Sequence, residues 1–292
     1  MTTPVWFITA ASSGFGREIA LQALQRGHTV VATARNADRI THLRDAGAHT
    51  LSLDVTADPA ALKAVADDVF ARFGRVDYLI NAAGYILDAA VEEATPKEIF
   101  DAFNTNVFGA VATIKAFLPH LRAQPPLDPS TGTRATLVAF GSLGSWTGGP
   151  TYAIYAMTKW SCSALMESLA AEVASYGIRA TVVEPGYFRT GFLNPGAKVT
   201  SQERLPAYED PSSAAGQVRA ALLTTDGNQP GDVVKGGKTI VDILTGTGVA
   251  EGKKLPVRIV LGTDCEETIR GKIKQTEGIL EEWKDVIRTT DY

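Results

Sequence analysis

The chain has 292 residues, 45% hydrophobic and 21% charged, which suits one large α/β domain with a full core and is short for two. Its formal net charge of −4, with no basic block, leaves no electrostatic footprint for nucleic acid. No apolar run approaches the roughly 20 residues that span a bilayer, and the start, Met1-Thr2-Thr3-Pro4, has neither a positive segment nor a signal-length apolar one. The expectation is a cytoplasmic protein with no membrane or nucleic-acid partner.

Short β-rich runs alternate with longer helical stretches. Residues 5–9 read as a first strand. A helix over 14–26 follows, with Ile19, Ala20, Ala23 and Leu24 on one face. A second strand over 29–33 leads to a helix over 36–46, and a third over 49–53 to a helix over 58–73. The fourth strand, 78–81, precedes a long helix over 99–122. Residues 124–133 hold three prolines and a glycine and read as a surface loop. A fifth strand (135–140), a helix (153–176) and a sixth strand (178–183) continue the alternation. Residues 187–211 lack periodicity and read as a long loop, which in a compact domain suggests a substrate-binding lid. Helices are predicted over 212–223 and 231–244, with a seventh strand over 257–261. From residue 264 to 290, Ile269, Ile273, Leu280, Trp283 and Ile287 share one helix face, predicting an amphipathic helix docked on the domain. Repeated β-α order implies a single domain over 1–292, α/β in class, with a doubly wound parallel sheet of about seven strands and helices on both faces.

Cys162 and Cys265 lie far apart with no metal-ligand neighbour, so both are expected to be free, packed thiols. His28, His42, His49 and His120 form no pair at ligand spacing, and no metal site is expected.

Between the first strand and first helix stands Thr9-Ala10-Ala11-Ser12-Ser13-Gly14-Phe15-Gly16. Glycines there let backbone approach a pyrophosphate, which then rests on the positive end of the helix. Ile19 occupies the third glycine position of G-x-G-x-x-G, so the spacing alone also fits a tight turn. At the end of the second strand an acid would favour the ribose hydroxyls of NAD. This chain has Ala34-Arg35, and a guanidinium offers a fork of donors to the 2′-phosphate of NADP. Tyr155 and Lys159, at i and i+4, share a helix face where a cation can lower the phenol pKa. Ser142 follows the fifth strand, at the carboxyl edge of the sheet where ligands bind in such folds.

These motifs resemble the short-chain dehydrogenase/reductase family, in its smaller single-domain, Rossmann-like branch, over about residues 4–192. Thr9-x-x-x-x-Gly14-x-Gly16 is similar to its glycine loop. Asp54-Val55 matches its adenine-contacting position, and Asn81-Ala82-Ala83-Gly84 its NNAG motif. Ser142, Tyr155 and Lys159 fit its Ser-Tyr-Lys signature, with Asn106 where its fourth helix holds a water. The stretch Pro185-Gly186-Tyr187-Phe188-Arg189-Thr190 looks like the segment that holds the nicotinamide. Ala10 replaces the first loop glycine and Ala82 the second Asn.

The resemblance implies an NADP(H)-dependent carbonyl reductase or alcohol dehydrogenase. Ser142 would hydrogen-bond the carbonyl oxygen, Tyr155 give it a proton, Lys159 lower the tyrosine pKa and bond the ribose, and Asn106 carry a water. It also implies a homodimer or homotetramer paired through the helices over 99–122 and 153–176, where Phe117 and Trp160 belong either to the interface or to the core. Tyr85, Ile86, Leu87, Leu143, Trp146, Tyr152, Tyr187, Phe188, Phe192 and Leu193 fall on the loops that wall the pocket, so a bulky, mostly apolar ketone is expected. About half of these side chains are expected in the core. The alternatives are a catalytically silent cofactor-binding or scaffolding protein of the same fold, or an epimerase or dehydratase.

Overall fold

A computed structural model describes residues 2–193 and 197–292. The first half runs β1 (Val5–Ile8), α1 (Gly14–Gln25), β2 (Thr29–Ala34), α2 (Thr41–Asp45), β3 (His49–Ser52), α3 (Pro59–Phe73), β4 (Tyr78–Asn81), β5 (Ile86–Asp88), α4 (Pro96–Phe103) and α5 (Gly109–Ala123). The second half runs β6 (Ala135–Phe140), α6 (Ala153–Glu172), β7 (Ile178–Pro185), β8 (Lys198–Thr200), α7 (Pro206–Glu209), α8 (Ala214–Thr225), α9 (Val233–Thr245), β9 (Arg258–Leu261), α10 (Thr263–Glu282) and α11 (Lys284–Ile287).

Seven strands form one parallel sheet in the order β3-β2-β1-β4-β6-β7-β9. Strand order reverses between β1 and β4, which opens a crevice beyond their carboxyl ends. Period-two alternation sorts side chains to the two faces. Phe7, Leu79 and Val182 face Leu62, Phe117 and Met166 from α3, α5 and α6. Trp6, Ile8 and Val138 face Ile19, Ala20, Ile240 and Val241 from α1 and α9. Phe117 therefore belongs to the core, whereas Trp160 is 46% exposed on α6. Among the described residues, no helix is long and apolar enough to cross a membrane. Both cysteines are free and buried.

Three expectations need correction. The helix predicted over 99–122 begins earlier, at Pro96, where Thr95 and Glu98 form a capping box. It is also interrupted by a π-helical turn at Asn104–Phe108, one residue wider than the α repeat.

The stretch 187–211 is not an unstructured lid. Within it β8 pairs in parallel with β5. Ser201 Oγ donates to Glu98 at 2.9 Å, and the Leu205 amide donates to Glu93 at 3.1 Å. Arg219 of α8 bonds Asp88, Glu93 and Glu209 around the same segment. Residues 194–196 of the predicted lid lie outside the described residues.

The C-terminal helix does not dock along its length. Cys265 is buried and Ile269 partly so, but Ile273, Leu280, Trp283 and Ile287 are 46%, 55%, 53% and 47% exposed. The helix leaves the sheet edge after its first turns, so beyond Ile269 its apolar face is largely exposed among the described residues.

Candidate active site

The turn after β1 carries the glycines expected to take a phosphate. Thr9 is fully buried, and its hydroxyl accepts from the Ala82 amide at 3.0 Å, joining the ends of β1 and β4. Gly14 takes φ +56, and its missing Cβ would lie 3.8 Å from Thr190 of the distant 185–190 segment. A Cβ on Gly16 would stand 2.7 Å from the Ala10 carbonyl oxygen, so only glycine keeps the loop this tight. Ala10 has φ 51, the left-handed region that a side chain opposes, as its Cβ in the turn foreshadowed. Ser13 caps α1 without a side-chain hydrogen bond, which leaves the amides of the first turn for an anion. Ser12 is half-buried beside it and Ser13 exposed.

Arg35 is exposed at the end of β2. Two hydrogen bonds from Thr56 hold the Asp54 carboxyl below its ordinary range, and the nearby Arg35 charge adds to this. Val55 is buried against Gly109, where an added Cβ would meet its Cγ2 at 2.7 Å. Asn81 is buried; its Nδ2 donates to the Val138 carbonyl at 3.2 Å, and its Oδ1 has no partner. An amide oxygen stripped of water and unpaired is a group that calls for a ligand donor.

The π turn places Asn106 inside the site. Its Oδ1 accepts from the Tyr85 amide at 2.9 Å; its Nδ2 donates to the Tyr85 carbonyl at 2.9 Å and to Thr158 Oγ1 at 3.0 Å. The loop after Gly84 is thereby tied to α6. A Cβ on Gly84 would approach Asn106 Oδ1 at 3.2 Å and Lys159 Nζ at 3.4 Å, so these three positions share one small space.

Ser142 and Tyr155 also converge. A Cβ on Gly144 would be 3.6 Å from Ser142 Oγ and 3.6 Å from Tyr155 Cε1. Ser142 Oγ accepts from the Gly144 amide at 3.1 Å, which orients the hydroxyl in its turn. Tyr155 is 9% exposed and packs against Phe192 with ring centres 5.8 Å apart. Burial pushes its phenol above the usual range, with the Ser142 hydroxyl pulling the other way. Lys159 is 4% exposed; its Nζ donates to the Phe140 carbonyl at 2.9 Å and lies 5.6 Å from the centre of the Tyr155 ring. Burial lowers its own pKa. Burial sets the direction of the phenol's shift, and the group that opposes it is the Ser142 hydroxyl, not Lys159.

Pro185 and Gly186 end β7. Gly186 has no room for a Cβ, because the Asp264 carboxylate fills that space. Asp264 in turn accepts from the Tyr187 amide at 2.6 Å. The ring of Phe188 does not face the crevice. It packs on Phe15 at 5.0 Å and against Gly231 and Gly236, so the rings of Phe15 and Phe188 are core and only their backbone remains for a cofactor. Trp146 also turns inward: its Nε1 donates to Glu184 at 2.9 Å. Ile86 and Leu87 are buried too. Tyr152, Tyr187 and Phe192 stay partly exposed around Tyr155. Sequence reading passed over Thr158, Ser145, Ser163 and Glu184. Thr158 had a local signal, standing between Tyr155 and Lys159 on one helix; the rest are joined only through the fold.

Comparisons with known proteins follow from this geometry. Residues 4–199 match the short chain dehydrogenase family. Oxidoreductase BOA17 of Botryotinia fuckeliana is 31% identical over 289 residues, covering 97% of this chain and 98% of the relative. The 3-ketodihydrosphingosine reductase of Bacteroides thetaiotaomicron is 35% identical over 195 residues, 66% of this chain and 67% of the relative. A solved short-chain dehydrogenase from Streptomyces avermitilis superposes with a TM-score of 0.85 at 36% identity, covering 100% of both chains.

Proposed function

This chain belongs to the short-chain dehydrogenase/reductase family, and on that premise we propose that it is an NADP(H)-dependent reductase interconverting a bulky, mostly apolar ketone and its secondary alcohol. It is an oxidoreductase whose cofactor is a nicotinamide dinucleotide. The observation that carries the reading is the convergence of Ser142 Oγ and the Tyr155 ring on one point above Gly144, with Lys159 and Asn106 buried beside Gly84.

The residues present fit the cofactor. The uncapped turn of α1 with Gly14 and Gly16 would take the pyrophosphate; the orphaned Oδ1 of Asn81 lies on the route to Gly84 and Lys159. Arg35 would meet the 2′-phosphate, Asp54 and Val55 the adenine, and Pro185, Gly186 and Thr190 the nicotinamide end. A nicotinamide held there would supply hydride chemistry for a carbonyl carbon. Ser142 donates to the carbonyl oxygen as charge develops on it. Tyr155 gives that oxygen its proton, and burial favours the protonated phenol. Lys159 Nζ, set between Phe140 O and Gly84, is placed to reach the ribose.

Support for an apolar substrate comes from Tyr152, Tyr187 and Phe192 around Tyr155, with no carboxylate-binding cluster among them. A cavity of about 340 Å³, lined by Ala90, Val91, Pro150, Ala153, Ala207 and Tyr208, reaches α6 at Ala153, two residues before Tyr155, and offers mostly apolar walls to a substrate chain. The Bacteroides relative is named for a ketone of a long-chain lipid base, in keeping with this reading. The test is a panel of kcat/KM values with NADPH. Polycyclic and long-chain ketones should lead; a lead of about tenfold or more for short polar ketones or sugars overturns the substrate reading. Equal affinity for NADPH and NADH overturns the cofactor preference.

A further inference from the structure

Behind Ser142 lies a carboxylate that the proposed reaction does not use. Glu184, the penultimate residue of β7, is fully buried. Its Oε1 accepts from Ser163 Oγ at 2.7 Å and from the Arg258 guanidinium at 2.5 Å. Its Oε2 accepts from Trp146 Nε1 at 2.9 Å. Arg258 also stacks over the Trp146 ring at 4.7 Å and pairs with Glu167 at 2.6 Å. One carboxylate thus gathers donors from α6, from β9 and from the loop that follows β6.

That loop is the one holding Ser142. The Ser145 amide donates to the Ser142 carbonyl at 2.8 Å and the Trp146 amide to the Leu143 carbonyl at 3.0 Å, so a tight turn runs from Ser142, its cap, to Trp146. Ser145 Oγ accepts from the Ser142 amide at 3.2 Å and donates to the Lys159 carbonyl at 2.9 Å. The strand end before it is packed as tightly: a Cβ on Gly141 would meet Ser145 Oγ at 2.7 Å, Ser163 Oγ at 2.9 Å and Glu184 Cγ at 3.0 Å. The main chain of Glu184 continues directly into Pro185 and Gly186.

We infer that Glu184 is a positioning residue, whose buried carboxylate pins Trp146 and so fixes the Ser142 turn against Tyr155 and against the segment that follows β7. The inference rests on the reductase reading for its consequence in turnover. Its physical content does not depend on it. Three donors converge on two carboxylate oxygens, and no neutral side chain of the same shape accepts from all of them. A glutamine offers one acceptor and one donor. With its oxygen toward Arg258 and Ser163, its NH2 faces the Trp146 N–H, two donors meet, and the turn is released.

The experiment compares wild type, Glu184→Gln, Trp146→Phe and the double variant. For Glu184→Gln, kcat should fall about tenfold or more, while KM for the ketone and the Kd for NADPH change less than about threefold. Adding Trp146→Phe removes the opposed donor and should recover about threefold or more of the lost kcat, a non-additivity that general destabilisation would not produce. A kcat within about twofold of wild type for Glu184→Gln, or a double variant no better than the single, overturns the inference. If Glu184→Gln does not fold, Trp146→Phe alone decides: a lowered kcat at unchanged KM supports the role, and an unchanged kcat overturns it. If wild type reduces no ketone, the reductase reading fails by itself, and amide hydrogen exchange decides this one. Exchange confined to faster rates over residues 141–147 in the variants supports Glu184 as the pin; unchanged exchange there, or uniform loss of protection across the sheet, overturns it.

Discussion

Replacing Gly16 with alanine tests how far the cofactor loop depends on backbone contact. The new Cβ would stand 2.7 Å from the Ala10 carbonyl oxygen and 3.2 Å from the Ala10 carbonyl carbon and the Ala11 Cα. An unforced carbon–oxygen contact is about 3.3 Å or more, so the loop must give by roughly 0.6 Å. The obstacle is main chain and cannot rotate aside. Ala10 already sits at φ 51, a conformation that costs about 1–2 kcal/mol, so the loop has little slack on that side. Overpacking of this kind costs about 1–3 kcal/mol, and the better helix propensity of alanine inside α1 offsets up to about 1 kcal/mol. With the full offset the net loss is up to about 2 kcal/mol, which at this chain length lowers Tm by up to roughly 3 °C. Displaced loop amides should also weaken NADPH by about tenfold or more. Thermal melts and fluorescence titration measure the two effects. A Tm within about 1 °C of wild type together with an unchanged Kd would refute the close-contact reasoning.

Other outcomes follow from the same geometry. Tyr155→Phe keeps the ring packed on Phe192, so Tm should hold while kcat falls about 10²–10⁴-fold; steady-state kinetics decide, and near-wild-type turnover removes Tyr155 from its role. Arg35→Asp should weaken NADPH about tenfold or more with little change for NADH, read by calorimetric titration of both. Ala10→Gly relieves the left-handed strain at some cost in chain entropy, so Tm should stay level or rise by a few degrees, and a clear fall counts against the strain. Burial raises Tyr78 and Tyr85 to about 12 from an unfolded value of 10.0. Raised folded values mean that the folded state holds its protons longer, so this stability is complete below pH 10 and lost as pH rises toward about 12. Denaturant melts across that range should show the decline, and a flat profile refutes it.

Much of the sheet was legible because parallel strands covered on both faces read as apolar runs separated by helix-length crossovers. The nearness of Ser142, Tyr155 and Lys159 was legible from their spacing after a strand and along one helix, while their chemistry stays part of the proposal. Glu184 was not, since its partners Ser163, Trp146 and Arg258 lie 21, 38 and 74 residues away. The last helix misled for a different reason. The face carrying Ile273, Leu280 and Trp283 has the same period whether its own domain covers it or not, so periodicity reports an amphipathic helix and says nothing of what it meets. Aromatic residues near the site were equally ambiguous: Phe188 and Trp146 have the composition of pocket walls, yet backbone approach at Gly231 and a hydrogen bond to Glu184 draw them inward.

The π turn at Asn104–Phe108 bears on how this protein can change length over time. One residue of an α-helix turns the chain by about 100°, so an extra residue rotates everything after it by that angle. Phe103 packs toward Tyr85 and Ile154 before the turn, while Ile114, Phe117 and Leu121 face the sheet after it. The wider turn absorbs that rotation, so losing one residue between 104 and 108 would let it relax to an α repeat, leaving those three side chains on the core while drawing Asn106 out of line with Tyr85 and Thr158. Gln124 ties the start of the 124–133 loop to Val76 and Arg134, but its exposed tip over 128–132 can lose or gain a residue without such a penalty. Insertions and deletions in the lineage of this chain should therefore gather at that tip and spare the turn, so that one turn of unusual helix acts as a fixed ruler between the sheet and the site.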